Sequence, residues 1–149
     1  MTVRAAAADD AAAIARLLTE LGYPHSADDA RSRLEAWIGG ERRLLLVATE
    51  DDAPIGLIAV AAVPYLERAG SWARIVALAV AATHRRRGVG RTLVAAAEEA
   101  AVRWGCVTIE ATSARRRLES HPFYLGLGYE DRCRRSALYR RELSAREPG

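Results

Sequence analysis

Apolar residues recur along the chain with two different periods, and together these predict a mixed α/β protein. The first helix, predicted over residues 9–21, has one apolar face at the spacing i, i+3, i+4, i+7, made of Ile14, Leu17, Leu18 and Leu21. Short apolar runs bounded by glycine, proline or charged turns are typical of strands. The predicted order is β-α-α-β-β-β-α-β-α-β-β, with strands at 2–6, 44–49, 55–63, 72–81, 107–111, 129–132 and 136–143.

Capping residues and glycines indicate where the helices begin and end. We expect Asp9 to cap the first helix and Gly22 to end it. Ser26 begins the second helix, and Asp29 stands three residues later in the capping-box position. The second, third and fourth helices are predicted at about 26–38, 88–104 and 118–127.

The order of elements contains a single strand–helix–strand crossover, over residues 72–111. Such a unit requires two parallel strands and a right-handed connection. The other connections favour antiparallel pairs. We therefore expect one α/β domain over residues 1–149, with a mixed, mostly antiparallel sheet flanked by about four helices, and a disordered tail at 144–149.

A basic, glycine-containing loop joins the strand of this crossover to its helix. Its sequence is Arg85-Arg86-Arg87-Gly88-Val89-Gly90. Free backbone N–H groups at the positive end of a helix dipole bind phosphate, and glycine lets the anion approach closely. The residues alone therefore predict an anion site at a helix N-terminus.

Two other kinds of phosphate loop fit this sequence poorly. A dinucleotide-binding fingerprint needs a third glycine where the chain has Leu93. A P-loop needs a lysine, and the chain has none. A nucleic-acid-binding patch stays open but is weakly supported, because the clustered arginines have no aromatic residues among them.

The composition restricts the class of protein. The 22 basic residues are all arginine, the net charge is +3, and 50% of the residues are hydrophobic, which is typical of a globular protein. Cys106 and Cys133 make neither a disulfide framework nor a metal site, and we expect Cys106 to be buried. No signal peptide or membrane span is expected, so we expect a cytoplasmic protein.

Two sequence blocks resemble the GCN5-related N-acetyltransferase (GNAT) family. The loop at 85–90 matches that family's Gln/Arg-x-x-Gly-x-Gly/Ala motif, which lies between its fourth strand and third helix. The block at 121–129, His-Pro-Phe-Tyr-Leu-Gly-Leu-Gly-Tyr, is similar to the family's FYxxxGF helix. The order of elements also agrees, and the resemblance covers nearly the whole chain.

The resemblance implies that acetyl-CoA is the co-substrate and that no metal is needed. Its pyrophosphate would lie on the loop and the helix start, and its pantetheine arm along the backbone of the central strand. The implied contact residues are Leu78, Ala79, Val80, Arg85, Arg86, Arg87, Gly88, Val89, Gly90, Arg91 and Thr92.

Tyr124 occupies the family's general-acid position. A phenol, with a pKa near 10, can protonate a departing thiolate, whose pKa is about 8.5. A backbone N–H near Val80 is the implied oxyanion donor. Arg117 stands where many members carry an asparagine that contacts the cofactor, so its role is open.

The general base and the acceptor are not determined by the sequence. Glu67, Glu110, His121 and water are all candidates for the base. We expect the acceptor over the first two helices and the loop at 64–71. There Glu20, Tyr23, Asp28 and Asp29 form either an acidic mouth or, more simply, ordinary exposed helix charges.

The predicted function is transfer of an acetyl group to a primary amine of a small molecule or peptide, directly in a ternary complex. A homodimer is compatible with this. One alternative is a coenzyme A-binding domain without turnover. The other is a basic nucleic-acid-binding module.

Overall fold

The computed structural model describes residues 1–112, 120–133 and 138–143. The chain forms two compact units, Met1–Thr112 and Ser113–Gly149. The predicted tail at 144–149 and Arg117 lie outside the described residues.

The first unit is built on a five-stranded sheet in the order β1-β2-β3-β4-β5. Neighbouring strands are antiparallel except β4 and β5, which are parallel, as the crossover predicted. The strands are β1 (Thr2–Ala5), β2 (Arg43–Glu50), β3 (Ala53–Pro64), β4 (Ser71–Val80) and β5 (Cys106–Ala111).

The described residues contain four α-helices. The first unit has α1 (Ala11–Leu21), α2 (Ala27–Trp37) and α3 (Val89–Arg103), and the second unit has α4 (Ser120–Gly126). Short 3-10 turns cover Ala8–Asp10 and Ala82–His84. The mixed α/β fold class is confirmed.

Both faces of the sheet are covered by helices over most of β2 and β3. Helices α1 and α2 pack with Leu57 and Ala59 of β3 in one buried cluster. The alternating residues Ile58 and Val60 are also fully buried (both 0% exposed), and α3 contacts β3 as well. Strands buried on both sides have near-continuous apolar sequences, which is why β3 shows no polar alternation.

A buried carboxylate, rather than the exposed one beside it, organises the start of α1. The sequence favoured Asp9 as the cap, but Asp10 accepts the Ala7 N–H at 2.8 Å and two hydrogen bonds from Arg4 at 2.7 and 2.9 Å. The Arg4 hydrogen bonds lower the pKa of Asp10 against the opposing effect of burial. The capping box of α2 is confirmed, with Ser26 and Asp29 bonded reciprocally at 3.0 Å.

Asp10→Ala is expected to lower the free energy of unfolding by about 1–2 kcal/mol at pH 7, because it removes the carboxylate that pairs with Arg4 and accepts the Ala7 N–H. The lowered pKa means that the wild type holds this stabilisation fully above the unfolded pKa of about 3.9 and loses it as the pH falls through the folded value. Urea unfolding of both proteins from pH 7 to pH 2.5 should show the difference shrinking. Asp9→Ala, a change at the exposed neighbour, is the control; an equal loss in that variant would contradict the assignment.

The sequence prediction of two final strands at 129–132 and 136–143 is wrong for the described part of this segment. Residues 129–133 and 138–143 contain no strand. Gly128 has a left-handed backbone (φ +90°), and the Tyr129 N–H bonds back to the Tyr124 carbonyl at 3.0 Å. The Asp131 carboxylate then accepts the Cys133 N–H at 2.9 Å, so a local turn replaces a strand ladder.

Strand β5 is less buried than its apolar sequence predicted. Cys106 is half-buried and Val107 is 61% exposed. The reason is position: β5 is the edge strand of the sheet that the described residues form. Partial burial raises the pKa of the Cys106 thiol, which disfavours a reactive thiolate.

Candidate active site

The loop between β4 and α3 has the backbone of an anion site. Gly88 is the N-cap of α3, with a left-handed backbone (φ +82°) that favours glycine. The Thr92 N–H makes the first bond inside the helix, to the Gly88 carbonyl at 3.0 Å. The N–H groups from Val89 to Arg91 therefore precede the helical ladder and lie at the positive end of the dipole.

Positive side chains surround this helix start. Arg85, Arg86, Arg87 and Arg91 are all exposed. The Thr92 hydroxyl donates to the Gly88 carbonyl at 2.9 Å. Backbone donors and guanidinium groups therefore supply most of the attraction for an anion.

Gly56 on β3 was missed by the sequence reasoning, and it lets α3 approach the sheet. A Cβ atom placed there would lie 3.0 Å from Val89 Cγ1, 3.1 Å from Leu93 Cδ1 and 3.2 Å from the Ala79 carbonyl oxygen. The first turn of α3 therefore packs directly on the backbone of this residue. A lone glycine within an apolar run was the available clue, because glycine there often marks a close approach.

A bulge and an opening interrupt the pairing of β4. Val76 has no partner on β3, because Val60 pairs with Ile75 and Ala59 pairs with Ala77. On the other side, pairing with β5 ends at Ile75 and Ala111. Beyond that point, over residues 76–80, β4 has a strand neighbour on one side only within the described residues. We call the unpaired side of this stretch the opening.

Of the three predicted contact residues on β4, two direct their backbone N–H and C=O groups into this opening. The Ala81 N–H donates to the Ile55 carbonyl on the β3 side at 2.8 Å. Backbone groups alternate in direction along a strand. Ala79 therefore also faces β3, whereas the N–H and C=O groups of Leu78 and Val80 point into the opening. Arg85 Nε donates to the Val80 carbonyl there at 3.3 Å.

Tyr124 lies on α4 of the second unit, between two aromatic neighbours. Its ring centroid is 5.1 Å from that of Phe123 and 5.5 Å from that of Tyr129. Burial raises the pKa of the Tyr124 phenol. The hydroxyl therefore stays protonated throughout the neutral and mildly alkaline range, as a proton donor must.

The candidates for the general base are placed differently. Glu110 is exposed on β5, beside the end of its pairing with β4. Glu67 is exposed in the loop between β3 and β4, and His121 is exposed on α4 in the second unit. Of the two candidates in the first unit, Glu110 is the one that is paired one residue from the end of the β4–β5 ladder.

Three acidic residues of α1 and α2 make contacts within the first unit. Glu20 accepts the Ala82 N–H at 3.0 Å, and Asp28 pairs with Arg31 at 3.1 Å. Asp29 caps α2. These contacts support ordinary structural roles over an acidic mouth.

Within residues 1–112, 120–133 and 138–143, no three His, Cys, Asp or Glu side chains come together as a metal site. None of the described helices has the length and apolar character needed to cross a membrane.

Solved structures of acetyltransferases share this fold. A candidate acetyltransferase from Agrobacterium tumefaciens str. C58 matches with a TM-score of 0.84 and 25% identity, over 95% of this chain and 100% of the other. An aminoglycoside antibiotic 6'-N-acetyltransferase from Acinetobacter haemolyticus matches with a TM-score of 0.80 and 19% identity, over 97% and 100%. An aminoglycoside N-acetyltransferase in complex with CoA matches with a TM-score of 0.77 and 18% identity, over 95% and 100%.

The fold of this chain is that of the acetyltransferase class of α/β proteins. The family model described as "Acetyltransferase (GNAT) family" matches residues 11–129. The chain belongs to the GNAT acetyltransferase family, as its two sequence blocks suggested. No curated protein matches the sequence significantly.

Proposed function

We propose that this protein is an acetyl-CoA-dependent N-acetyltransferase that acetylates a primary amine of a small molecule or peptide. The supporting observation is one continuous feature: the open edge of β4, with Leu78 and Val80 facing outward, leads to the free N–H groups at the start of α3. An extended, amide-containing arm that ends in a pyrophosphate matches both parts.

The residues present fit coenzyme A. The N–H groups of Val89, Gly90 and Arg91 would hold the pyrophosphate, and the exposed loop arginines would supply charge. Leu78 and Val80 would hydrogen-bond the pantetheine amides as a neighbouring strand does, which requires Arg85 to release the Val80 carbonyl. When bound, acetyl-CoA supplies the thioester. A fold neighbour holds CoA, which supports this choice of ligand.

The proposed chemistry is direct transfer within a ternary complex. A β4 N–H near Val80 would stabilise the oxyanion, and the Tyr124 hydroxyl would protonate the leaving thiolate. Glu110 is our first choice for the group that takes the proton of the amine, because it stands beside the opening. Glu67, His121 and water are the alternatives.

Acetyl-CoA is expected to stabilise the protein in a thermal-shift assay. A ligand at 100 times its Kd adds about 2.7 kcal/mol, which for a chain of this size corresponds to a rise in Tm of several degrees, about 5–10 °C. ATP and NADH, which also carry phosphoanhydrides, are the controls and should have little effect. Thiol release against amines, antibiotics, amino acids and peptides would then establish turnover.

Each other outcome points to a different function. No stabilisation by acetyl-CoA would overturn the proposal. Saturable acetyl-CoA binding without thiol release from any amine would favour a non-catalytic coenzyme A-binding domain. Tight, salt-sensitive DNA binding without a coenzyme A effect would favour a nucleic-acid-binding module.

A further inference from the structure

An arginine and a tryptophan lie next to each other on one face of β4, close to the opening. Arg74 pairs with Ala61, which shares the face of Ala59 and therefore lies on the side of the sheet that α1 and α2 cover elsewhere. Trp72 is two residues away on the same face. Both side chains are only half-buried, so these helices leave this part of the face partly open.

The same face of β5 carries a carboxylate at the matching position. Arg74 pairs with Glu110 in the parallel register, and paired residues point to the same face. Their Cα atoms are therefore about 5 Å apart. The next pair, Ile75 with Ala111, is the last before the strands separate. Arg74 and Glu110 therefore lie one residue before the last pair of the ladder, which is about 3 Å along the strand.

Arg74 has hydrogen-bonding capacity that its neighbours do not use. Its guanidinium carbon lies 5.6 Å from the centre of the Trp72 ring. Its Nε is shielded from solvent and has no hydrogen-bond partner. Within the described residues no carboxylate forms an ion pair with Arg74, although Glu110 is its neighbour on β5. A buried, unsatisfied donor on a cation costs free energy unless a ligand completes it.

The loop between β3 and β4 borders this face. The Tyr65 hydroxyl lies 2.9 Å from the hydroxyl of Thr108, which is the β5 partner of Trp72. The guanidinium carbon of Arg68 lies 4.1 Å from the centre of the Tyr65 ring. Aromatic side chains and a second cation therefore stand at the edge of the Arg74 and Glu110 pair.

We propose that this face binds the acceptor, and that the acceptor is a small amine that carries a carboxylate next to its amino group, such as a free α-amino acid. Arg74 receives the carboxylate through its planar fork of donors, and Glu110 faces the ammonium group. This inference rests on the proposed acetyl transfer and names its substrate class. Arg74 is then a specificity-determining residue, because it binds a part of the acceptor that does not react.

The test compares matched acceptors in the thiol-release assay. For the wild type, the kcat/KM for α-amino acids should be at least about tenfold above that for their amides and decarboxylated amines. The reason is that the loss of a charge-assisted hydrogen bond at a buried donor lowers kcat/KM by this factor or more. Arg74→Gln should bring this ratio close to one. Arg74→Lys, which keeps the charge without the fork, should retain part of it. Glu110→Gln should lower kcat/KM for acids and amides alike, since both carry the amine.

The control is Arg103→Gln, the same change on the last turn of α3, which should leave the ratio unchanged. The acetyl-CoA thermal shift of Arg74→Gln should equal that of wild type, which separates a specificity role from a folding defect. The comparison of acceptors on wild type needs no variant, so it holds even if Arg74→Gln fails to fold.

Three outcomes would overturn the inference. If amides or decarboxylated amines react with the same kcat/KM as amino acids, the inference is refuted while acetyl transfer stays intact. If the preference for acids survives in Arg74→Gln, Arg74 does not have the proposed role. If acetyl-CoA binds but no acceptor reacts, a failure of α-amino acids to stabilise the CoA-bound protein would also refute it. Loss of acetyl-CoA stabilisation itself would instead be a failure of the proposed function.

Discussion

Tyr124→Phe is expected to lower kcat by about 10²-fold or more, with little change in the KM for acetyl-CoA. The substitution removes one hydroxyl and keeps the ring, so the packing against Phe123 and Tyr129 is preserved. In the proposed mechanism the Tyr124 hydroxyl acts only when the thiolate departs, so its loss should not weaken the binding of acetyl-CoA. Steady-state thiol release over a range of acetyl-CoA concentrations measures both constants.

Tyr139→Phe is the control for this change. It removes a hydroxyl from a tyrosine of the same unit that is 92% exposed, and it should leave kcat within about twofold, because surface substitutions usually have small effects. A Tyr124→Phe enzyme with normal kcat would refute the general-acid assignment. Burial raises the pKa of Tyr124, so its hydroxyl should stay protonated up to a pH of about 10. The kcat of the wild type should therefore not fall through loss of this proton below that pH.

Gly56→Val is expected to weaken both folding and acetyl-CoA binding. The new Cβ would lie 3.2 Å from the Ala79 carbonyl oxygen and 3.0 Å from Val89 Cγ1, so α3 must move away from the sheet. Overpacking of this kind costs about 2–3 kcal/mol of unfolding free energy. The same movement displaces the N–H groups at the start of α3, so the Kd for acetyl-CoA should rise at least about tenfold, as expected when a set of aligned hydrogen bonds is disturbed.

Gly40→Val is the control for the glycine prediction. A Cβ at Gly40 meets mainly the end of the Arg43 side chain, with Nε at 3.1 Å, and that side chain can move aside. Urea unfolding and a titration with acetyl-CoA should therefore show a small change at Gly40 and a large one at Gly56. Equal stability and equal Kd in the two variants would mean that α3 is not held by its contact with Gly56.

Local features of the sequence were enough to place the loop and most of the elements. The change from an apolar strand to a glycine-containing basic loop located the start of α3, and Gly88 is its N-cap. Ser26 and Asp29 formed the predicted capping box. These features act over a few residues, so the local sequence determines them.

The errors arose where the outcome depends on distant partners or on competing neighbours. Asp9 and Asp10 are equivalent by sequence, and only the position of Arg4 on β1 selects Asp10. The pattern after Gly128 resembled two strands, but local hydrogen bonds from Tyr129 and to Asp131 form a turn instead. A sequence pattern does not show which of two available hydrogen-bond partners is used.

The junction of β4 and α3 shows the division most clearly. The sequence by itself predicted an anion site at the start of α3, because glycines and arginines act locally, and two of its blocks resembled those of the family that the family model matches. Only the tertiary structure decided that β4 carries a bulge at Val76, that Leu78 and Val80 face an opening, and that Arg74 stands beside Glu110. Strand register joins residues far apart in sequence, and a shift of one residue reverses the face of every side chain, so only the folded sheet specifies those neighbours.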